Sequence, residues 1–262
     1  MNLSASTAQR ATSSSNRVES VCFPLLAHRH EGLARNGHAT VSLFLYSRGQ
    51  CRIRWASLEL TMPKSLIEFW FDFSSGYAYF AAATIDELAN RHGRTVLWRP
   101  YMLGVAFKHT GARGLSSTPM KGDYARRDWA RLSRQTGLAF QPPENHPITA
   151  LPASRAYYWV EEHAPNAAHD FARAAFHAYF AETRDMTVPA TVASVGAGLG
   201  LPAAELEVGI SGEPMKAKVR AASDEAIAKG VFGSPFFLVD GEPFWGWDRM
   251  PMLDSWLETG GW

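Results

Sequence analysis

Cysteine is almost absent from this chain of 262 residues, and its two cysteines, Cys22 and Cys51, both lie near the start. The chain beyond Leu60 therefore contains no thiol. A CxxC redox site and a disulfide framework both need cysteines in the folded body of a protein. Their absence excludes a disulfide oxidoreductase and a disulfide-stapled fold for the main part of the chain, and we expect a cytoplasmic protein.

The chain also lacks a strong charge of either sign and a long apolar run. The formal net charge is +1 at pH 7, so we expect no nucleic-acid partner and no polybasic membrane contact. No apolar run reaches the roughly 18 residues of a membrane-spanning helix. The nine histidines show no metal-ligand spacing such as H-x-x-x-H, so we expect no metal site.

Residues 1–62 differ from the rest of the chain. Their beginning is rich in Ser and Thr without an apolar period, and the apolar fragments that follow lack helix caps and turn residues. Met62 directly precedes the first clear strand pattern. We predict that residues 1–62 are a disordered extension or a mis-called start, with a targeting peptide rich in Arg and Ser as the alternative.

Clear patterns begin at Leu66. The segment LIEFWFDF is typical of a buried strand, YAYFAAATIDELANRHG predicts one helix over residues 77–93, and TVLWRPY predicts a second strand. A β-α-β unit this compact implies two parallel strands. Several helical patterns follow, and the chain closes with a helix, a hairpin across Asp240-Gly241 and a final helix.

This order of elements predicts an α/β, thioredoxin-like fold that contains an inserted all-helical domain. Residues 63–103 and 212–262 would form the thioredoxin-like domain, and residues 104–211 would form the helical insertion. A generic α/β domain has nearly the same order of elements and stays open as an alternative.

Two adjacent serines, Ser74 and Ser75, stand where the first strand meets the first helix. A helix N-terminus presents unpaired N–H groups and about half a positive charge, so it stabilises an anion. Serine is also a favoured N-cap. The junction therefore predicts either an anion site or a purely structural cap.

Three other places carry candidate ligand contacts. A cis Ser234-Pro235 bond would leave the backbone of Ser234 free to pair with an extended peptide, whereas a trans proline would only begin a strand. Lys108 and Lys121 could bind ligand carboxylates or remain solvated. Asp248 could bind a ligand ammonium group or cap the last helix.

Four motifs together point to a known family. In chain order they are FDFSSGYAY, then WRPYMLGVAFKHTG followed by PMKGDY, then VFGSPFFLVDG, and last FWGWDRM. The chain from about residue 65 to 262, which carries these motifs, resembles the 2-hydroxychromene-2-carboxylate isomerases. It also resembles the related kappa-class glutathione transferases. Both groups belong to the DsbA-like branch of thioredoxin folds.

The resemblance implies a role for particular residues. The family pattern F-D-x-x-S-x-Y-x-Y makes Ser75 the catalytic serine. Glutathione, the implied cofactor, would be bound by Ser75, Ser234, Pro235, Asp248 and Lys121. The substrate would be bound by Phe107 and Lys108.

The resemblance also implies the chemistry. A serine in the place of a redox cysteine cannot form a mixed disulfide, but its hydroxyl can donate a hydrogen bond to a thiolate. A free thiol has a pKa near 8.5, which a helix N-terminus lowers. Glutathione bound at Ser75 would thus act as a recycled nucleophile that isomerises a small aromatic carboxylic acid. The family further suggests a homodimer. A conjugating glutathione transferase and an inactive binding protein are the alternatives.

The chain departs from the family at several positions. Ala112 stands in a segment where the family commonly has Asn, and Thr149 replaces the Asn of the family pattern F-P-x-N-T. Trp247 stands where Ser or Asn usually precedes the closing D-R. The proline that usually follows the catalytic serine is Gly76 here, which the start of a helix tolerates. These changes bear on substrate identity more than on the fold.

Overall fold

The structure is a computed structural model that describes residues 66–262 and the backbone of residues 38–44 and 55–61. The two shorter segments are strands β1 (His38–Phe44) and β2 (Trp55–Thr61), which pair in antiparallel fashion. The sequence patterns do not indicate these strands. The remainder of the prediction for residues 1–62 lies outside the described residues.

A four-stranded sheet carries the main body. Its strands β3 (Ile67–Phe71) and β4 (Val96–Pro100) are parallel, as predicted. Strand β5 (Phe236–Val239) runs antiparallel to β3 and pairs with β6 (Glu242–Trp245), giving the order β4-β3-β5-β6. The predicted hairpin is confirmed, because β5 and β6 meet at Asp240-Gly241, where both residues have positive φ.

Two short helices, α1 (Gly76–Ala82) and α2 (Ile85–Arg91), connect β3 to β4. The prediction of one helix over residues 77–93 is therefore wrong, because this segment contains two helices. The N–H of Thr84 bonds to the carbonyl of Ala81 at 3.1 Å, and this tighter i→i−3 bond interrupts the regular helix.

Between β4 and β5 the chain forms helices and turns only. The longer helices are α3 (Leu103–Thr110), α4 (Lys121–Thr136), α5 (Leu151–His163), α6 (Ala168–Phe180), α7 (Pro189–Ala197), α8 (Ala203–Ser211) and α9 (Glu213–Ala228). The last helix, α10 (Met250–Thr259), follows β6. The division of the body at residues 103 and 212 stays a prediction.

Aromatic side chains of β3 join the sheet to the helices. Phe71 is fully buried and stacks on Phe69, with ring centroids 4.8 Å apart. Phe176 of α6 packs against Phe71 at 5.5 Å and against Phe73 at 4.9 Å. Because burying each such ring contributes about 1.5–3 kcal/mol, the end of β3 is held firmly against α6.

Gly76, the first residue of α1, has a tertiary reason to lack a side chain. A Cβ atom at this position would lie 2.8 Å from the indole of Trp129 and 3.0 Å from the ring of Phe140. Real Cβ atoms essentially never approach so closely. Two aromatic rings from the helical region therefore fill the space that a side chain at residue 76 would need.

We predict that Gly76→Ala lowers the free energy of unfolding by about 1–3 kcal/mol, because both rings must move. Gly104 of α3 is the matched control, since a Cβ there would meet nothing within 4 Å. Gly104→Ala should leave stability unchanged or raise it by up to about 1 kcal/mol. Urea denaturation measures both variants. Equal stability of the two would contradict the packing argument.

Candidate active site

Ser75 caps α1 and is bonded to a distant loop. Its backbone is extended, with φ −95° and ψ 113°, and its Oγ accepts a hydrogen bond from the N–H of Ala78 at 3.3 Å. The same hydroxyl donates to the carbonyl oxygen of Ser234 at 2.8 Å. Ser75 is thus an N-cap, and it also joins the start of α1 to the turn before β5.

The turn before β5 contains a cis Ser234-Pro235 bond, so the trans alternative is wrong. Two contacts hold this turn in place. The buried hydroxyl of Tyr101 donates to the carbonyl of Gly233 at 2.7 Å, and the N–H of Asp72 donates to Ser234 Oγ at 2.9 Å. The carbonyl oxygen of Ser234 has two lone pairs, and Ser75 occupies one of them.

Asp72 is a residue of the candidate site that the sequence reasoning did not single out. Its Oδ1 accepts from the N–H of Ser74 at 2.8 Å, and its Oδ2 accepts from the N–H of Leu103 at 3.0 Å. Its carbonyl accepts from the N–H of Ser75 at 2.9 Å. Asp72 therefore connects β3, the start of α1, the start of α3 and the turn at Ser234. The sequence signal for Asp72 was its place as the Asp of the family pattern F-D-x-x-S.

Burial raises the pKa of Asp72, and the two N–H groups that its carboxylate accepts offset part of that rise. Burial of a carboxylate here costs desolvation free energy, and its hydrogen bonds offset only part of that cost. The residue therefore holds the site together at some expense to stability.

Ser74 faces a different part of the molecule from Ser75. Its Oγ accepts from the N–H of Ile148 at 3.2 Å, in the loop between α4 and α5. The two neighbouring hydroxyls thus have separate partners, Ser75 in the cis-proline turn and Ser74 in the helical region. The site lies where these segments meet.

The residues expected to bind the substrate lie on or near α3. Phe107 is half-buried and Lys108 is exposed, both in the second half of this helix. Lys121 is the exposed first residue of α4. Neither lysine forms an ion pair with any residue from 66 to 262. One hydrogen-bonded connection joins α3 to Ser75: the N–H of Leu103 and the N–H of Ser75 both donate to Asp72.

Asp248 does not cap the last helix, so that alternative is wrong. It lies in a short 3-10 turn, Trp247–Arg249, and α10 begins after Arg249 with no side-chain cap. Its Oδ2 accepts from Arg249 at 2.8 Å. The turn is tied to the site because the N–H of Gly246 donates to the carbonyl of Pro235 at 3.0 Å. Asp248 is exposed and available to a ligand.

Tyr77, two residues after Ser75, connects α1 to α4 through a hydrogen bond from its hydroxyl to Asp128 at 2.9 Å. Burial raises the pKa of Tyr77, and the negative charges of Asp128 and Asp248 add to the rise. Asp248 is therefore close enough to the first turn of α1 to act on it electrostatically.

Of the departures from the family pattern, Trp247 has a structural explanation. Its ring packs on Phe80 of α1, with centroids 6.4 Å apart. Ala112 and Thr149 are both exposed, and nothing in the structure explains them.

Metal ligation is not supported by the described part of the chain, where no three His, Cys, Asp or Glu side chains group as a metal site would need. None of the helices described between residues 66 and 262 has the length and apolar character needed to cross a membrane.

We predict that Asp72→Ala lowers the free energy of unfolding by about 2–4 kcal/mol, because the N–H groups of Ser74 and Leu103 lose their acceptor. Recovery of the desolvation cost reduces this loss. Asp185 is the matched control, since it accepts the N–H of Thr187 at 2.9 Å with the same i+2 spacing but is exposed. Asp185→Ala should cost less than about 1 kcal/mol. Equal losses in denaturant titrations would contradict the role of Asp72.

Comparison with known proteins agrees with the fold and with the resemblance. A protein named 2-hydroxychromene-2-carboxylate isomerase from Sphingobium xenophagum is 26% identical over 193 residues, which cover 73% of this chain and 97% of the relative. Glutathione s-transferase kappa 2 of Caenorhabditis elegans is 25% identical over 210 residues, or 75% of this chain and 93% of the relative.

A solved structure described as a 2-hydroxychromene-2-carboxylate isomerase aligns with a TM-score of 0.65 at 24% sequence identity, covering 74% of this chain and 95% of its own. The predicted thioredoxin-like fold is therefore confirmed. Residues 66–258 match the family described as the DSBA-like thioredoxin domain. Since this match contains the whole four-stranded sheet and the site around Ser75, the chain belongs to the DsbA-like thioredoxin family.

Proposed function

We propose that the protein is a glutathione-dependent isomerase. It interconverts 2-hydroxychromene-2-carboxylate and aromatic acids of the trans-o-hydroxybenzylidenepyruvate type. The observation that carries the proposal is the bond of 2.8 Å between the hydroxyl of Ser75, at a helix start, and the carbonyl before a cis-proline. The relatives named as isomerases support this reaction over others.

The described residues fit glutathione as a cofactor. The carbonyl of Ser234 keeps a free lone pair for an N–H of an extended peptide, and the first turn of α1 offers N–H groups to an anion. The exposed Asp248 would take the ammonium group of the glutamyl unit, and Lys121 would take a carboxylate. When bound, glutathione supplies a thiolate that adds reversibly to the substrate and is regenerated.

The hydroxyl of Ser75 has only one hydrogen, which it donates in a hydrogen bond to the carbonyl oxygen of Ser234. To stabilise a thiolate it must rotate from that carbonyl towards the sulfur. A charge-assisted hydrogen bond is roughly twice as strong as a neutral one, so the exchange is favourable. The N–H of Ala78 bonds to the same oxygen and orients it. Ser75 therefore activates the thiol and does not itself attack the substrate.

The substrate would lie between α1 and α3. Phe107 offers a flat apolar surface to an aromatic ring, and Lys108 offers a cation to the carboxylate. Because Asp72 bonds to the first N–H of α3, the helix that carries both residues is held at a fixed distance from Ser75. Positioning of this kind supplies much of the rate in reactions that join two bound molecules.

Two measurements test the proposal. Calorimetry should detect glutathione binding at or below millimolar concentrations, and the protein should convert 2-hydroxychromene-2-carboxylate without loss of free thiol. Consumption of the thiol would instead favour a conjugating transferase, which the kappa-class relative makes the second candidate. Absence of both binding and turnover would favour a binding protein without activity.

We predict that Ser75→Ala still folds but raises the pKa of bound glutathione, because the thiolate loses a hydrogen-bond donor. The loss of the N-cap should cost about 1 kcal/mol of stability. Thiolate absorbance at a series of pH values measures the shift. Ser133→Ala is the control, since it removes a hydroxyl that donates to the carbonyl of Leu138 at 2.7 Å on α4. An unchanged thiolate titration in Ser75→Ala would contradict the proposed role of Ser75 in activating the thiol.

A further inference from the structure

The charged side chains of the main body are divided unevenly along the chain. Residues 66–262 carry 18 Lys and Arg side chains against 22 Asp and Glu side chains, so the body as a whole is acidic. Residues 103–137, which contain α3 and α4, carry seven of these cations and only two of the anions. The rest of the body therefore has 11 cations against 20 anions. We call residues 103–137 the basic segment.

The two acidic residues of the basic segment are paired within it. Asp123 accepts a hydrogen bond from Arg126 at 2.8 Å, and Asp128 accepts one from Arg131 at 2.7 Å. Each pair cancels its own charge and leaves the surplus unchanged. The other five cations of the segment are exposed and form no ion pair with any residue from 66 to 262; they are Lys108, Arg113, Lys121, Arg127 and Arg134.

The basic segment begins at the candidate active site and returns to it. The N–H of Leu103, its first residue, donates to the carboxylate of Asp72 at 3.0 Å. On α4, Asp128 accepts the hydroxyl of Tyr77 at 2.9 Å, two residues after Ser75. Both helices of the segment are therefore joined to the start of α1, and their surplus charge lies beside the site.

Two of the five cations are near residues that the proposed function uses, although neither is assigned to a ligand. Arg127 directly precedes Asp128 on α4. Arg113 directly precedes Gly114, where an added Cβ atom would lie 3.8 Å from the ring of Phe107. A charge need not touch a ligand to attract it, because its field reaches about 30 Å at an ionic strength of about 0.01 M.

The ligands of the proposed function are anions. Glutathione has two carboxylates and one ammonium group, and ionisation of its thiol adds a further negative charge. The aromatic acid carries a carboxylate. An acidic body repels such molecules over most of its surface, whereas a local surplus of cations raises their concentration where it lies. A solvated row of cations would be unremarkable if it were scattered over the surface, but here it adjoins the site.

We propose that the basic segment is an electrostatic entrance that draws small organic anions to the site, with Arg113 and Arg127 acting on the ligands through space. The proposal rests on the proposed isomerase function, which supplies the anionic ligands. The field strengthens binding of glutathione and of the aromatic acid, and it disfavours neutral or cationic competitors. Because it acts before the chemical step, it changes Kd and KM and leaves kcat unchanged.

The double variant Arg113→Gln/Arg127→Gln tests the entrance, since both side chains are exposed and unpaired among residues 66–262. We expect the Kd of glutathione, measured by calorimetry, to rise about twofold to fivefold at an ionic strength of about 10 mM. At about 1 M salt, where the field reaches only about 3 Å, the variant and the wild type should bind equally. KM for the substrate should rise in parallel at low salt.

Lys216→Glu is the matched control, because it changes the net charge by the same amount outside the basic segment. Lys216 lies in the first turns of α9 and only approaches Glu213 at 4.0 Å. Its Kd for glutathione should change less than about 1.5-fold at low salt. An equal change in the control and in the double variant would overturn the local role of the segment. A loss of affinity that persists at 1 M salt would also overturn it, since a field is screened there and a lost contact is not.

A polyanion offers the competing use of such a surface. Single-stranded DNA and vesicles containing phosphatidylserine should not displace glutathione from the wild type at about 0.15 M salt. Displacement by either would overturn the assignment to small anions and favour a nucleic-acid or membrane contact.

Failure of this proposal can be told apart from failure of the proposed function. If the wild type binds glutathione with a Kd that neither salt nor the double variant changes, the entrance is overturned and the proposed function stands. If the wild type binds no glutathione at low salt, both fall together.

Discussion

The backbone and carboxylate of Asp72 make hydrogen bonds of 2.8 to 3.0 Å to Ser74, Ser75, Leu103 and Ser234. These four partners begin or end the segments that form the site. Each bond is short enough to fix the position of its partner, and burial of the carboxyl removes competition from water. The geometry of Ser75 therefore depends on a residue that need not touch a ligand.

The aromatic core provides the rigidity that these bonds require. The side chains of β3 pack against Phe176 of α6, and the rings of Trp129 and Phe140 fill the space beside Gly76. The sheet and the helical region consequently meet at the first turn of α1. This explains why the two serines there have different partners, Ser75 with the cis-proline turn and Ser74 with the loop before α5. In the proposed function the first of them activates a thiol.

Much of the fold could be predicted from local sequence because its signals are local. Alternating and continuous apolar patterns indicated β3 and β4, and Asp240-Gly241 indicated the β5–β6 hairpin. The break at Thr84 was missed because it depends on one i→i−3 bond within an otherwise helical pattern. Four motifs in the family's order predicted membership of the DsbA-like thioredoxin family, and the family match over residues 66–258 confirms it. The roles of Ser75, Ser234, Pro235, Asp248, Lys121, Phe107 and Lys108 remain predictions.

The sequence by itself determined the absence of a redox thiol, the order of strands and helices, and the presence of serine at a helix start, because each depends on residue type and on neighbours along the chain. Only the tertiary structure decided that Ser75 bonds to Ser234, that Asp72 joins four segments, and that Ser74 accepts a hydrogen bond from the N–H of Ile148. The bonds of Ser75 and Ser74 link residues that are far apart in the chain. Their geometry follows from how the whole core packs, which no local pattern specifies.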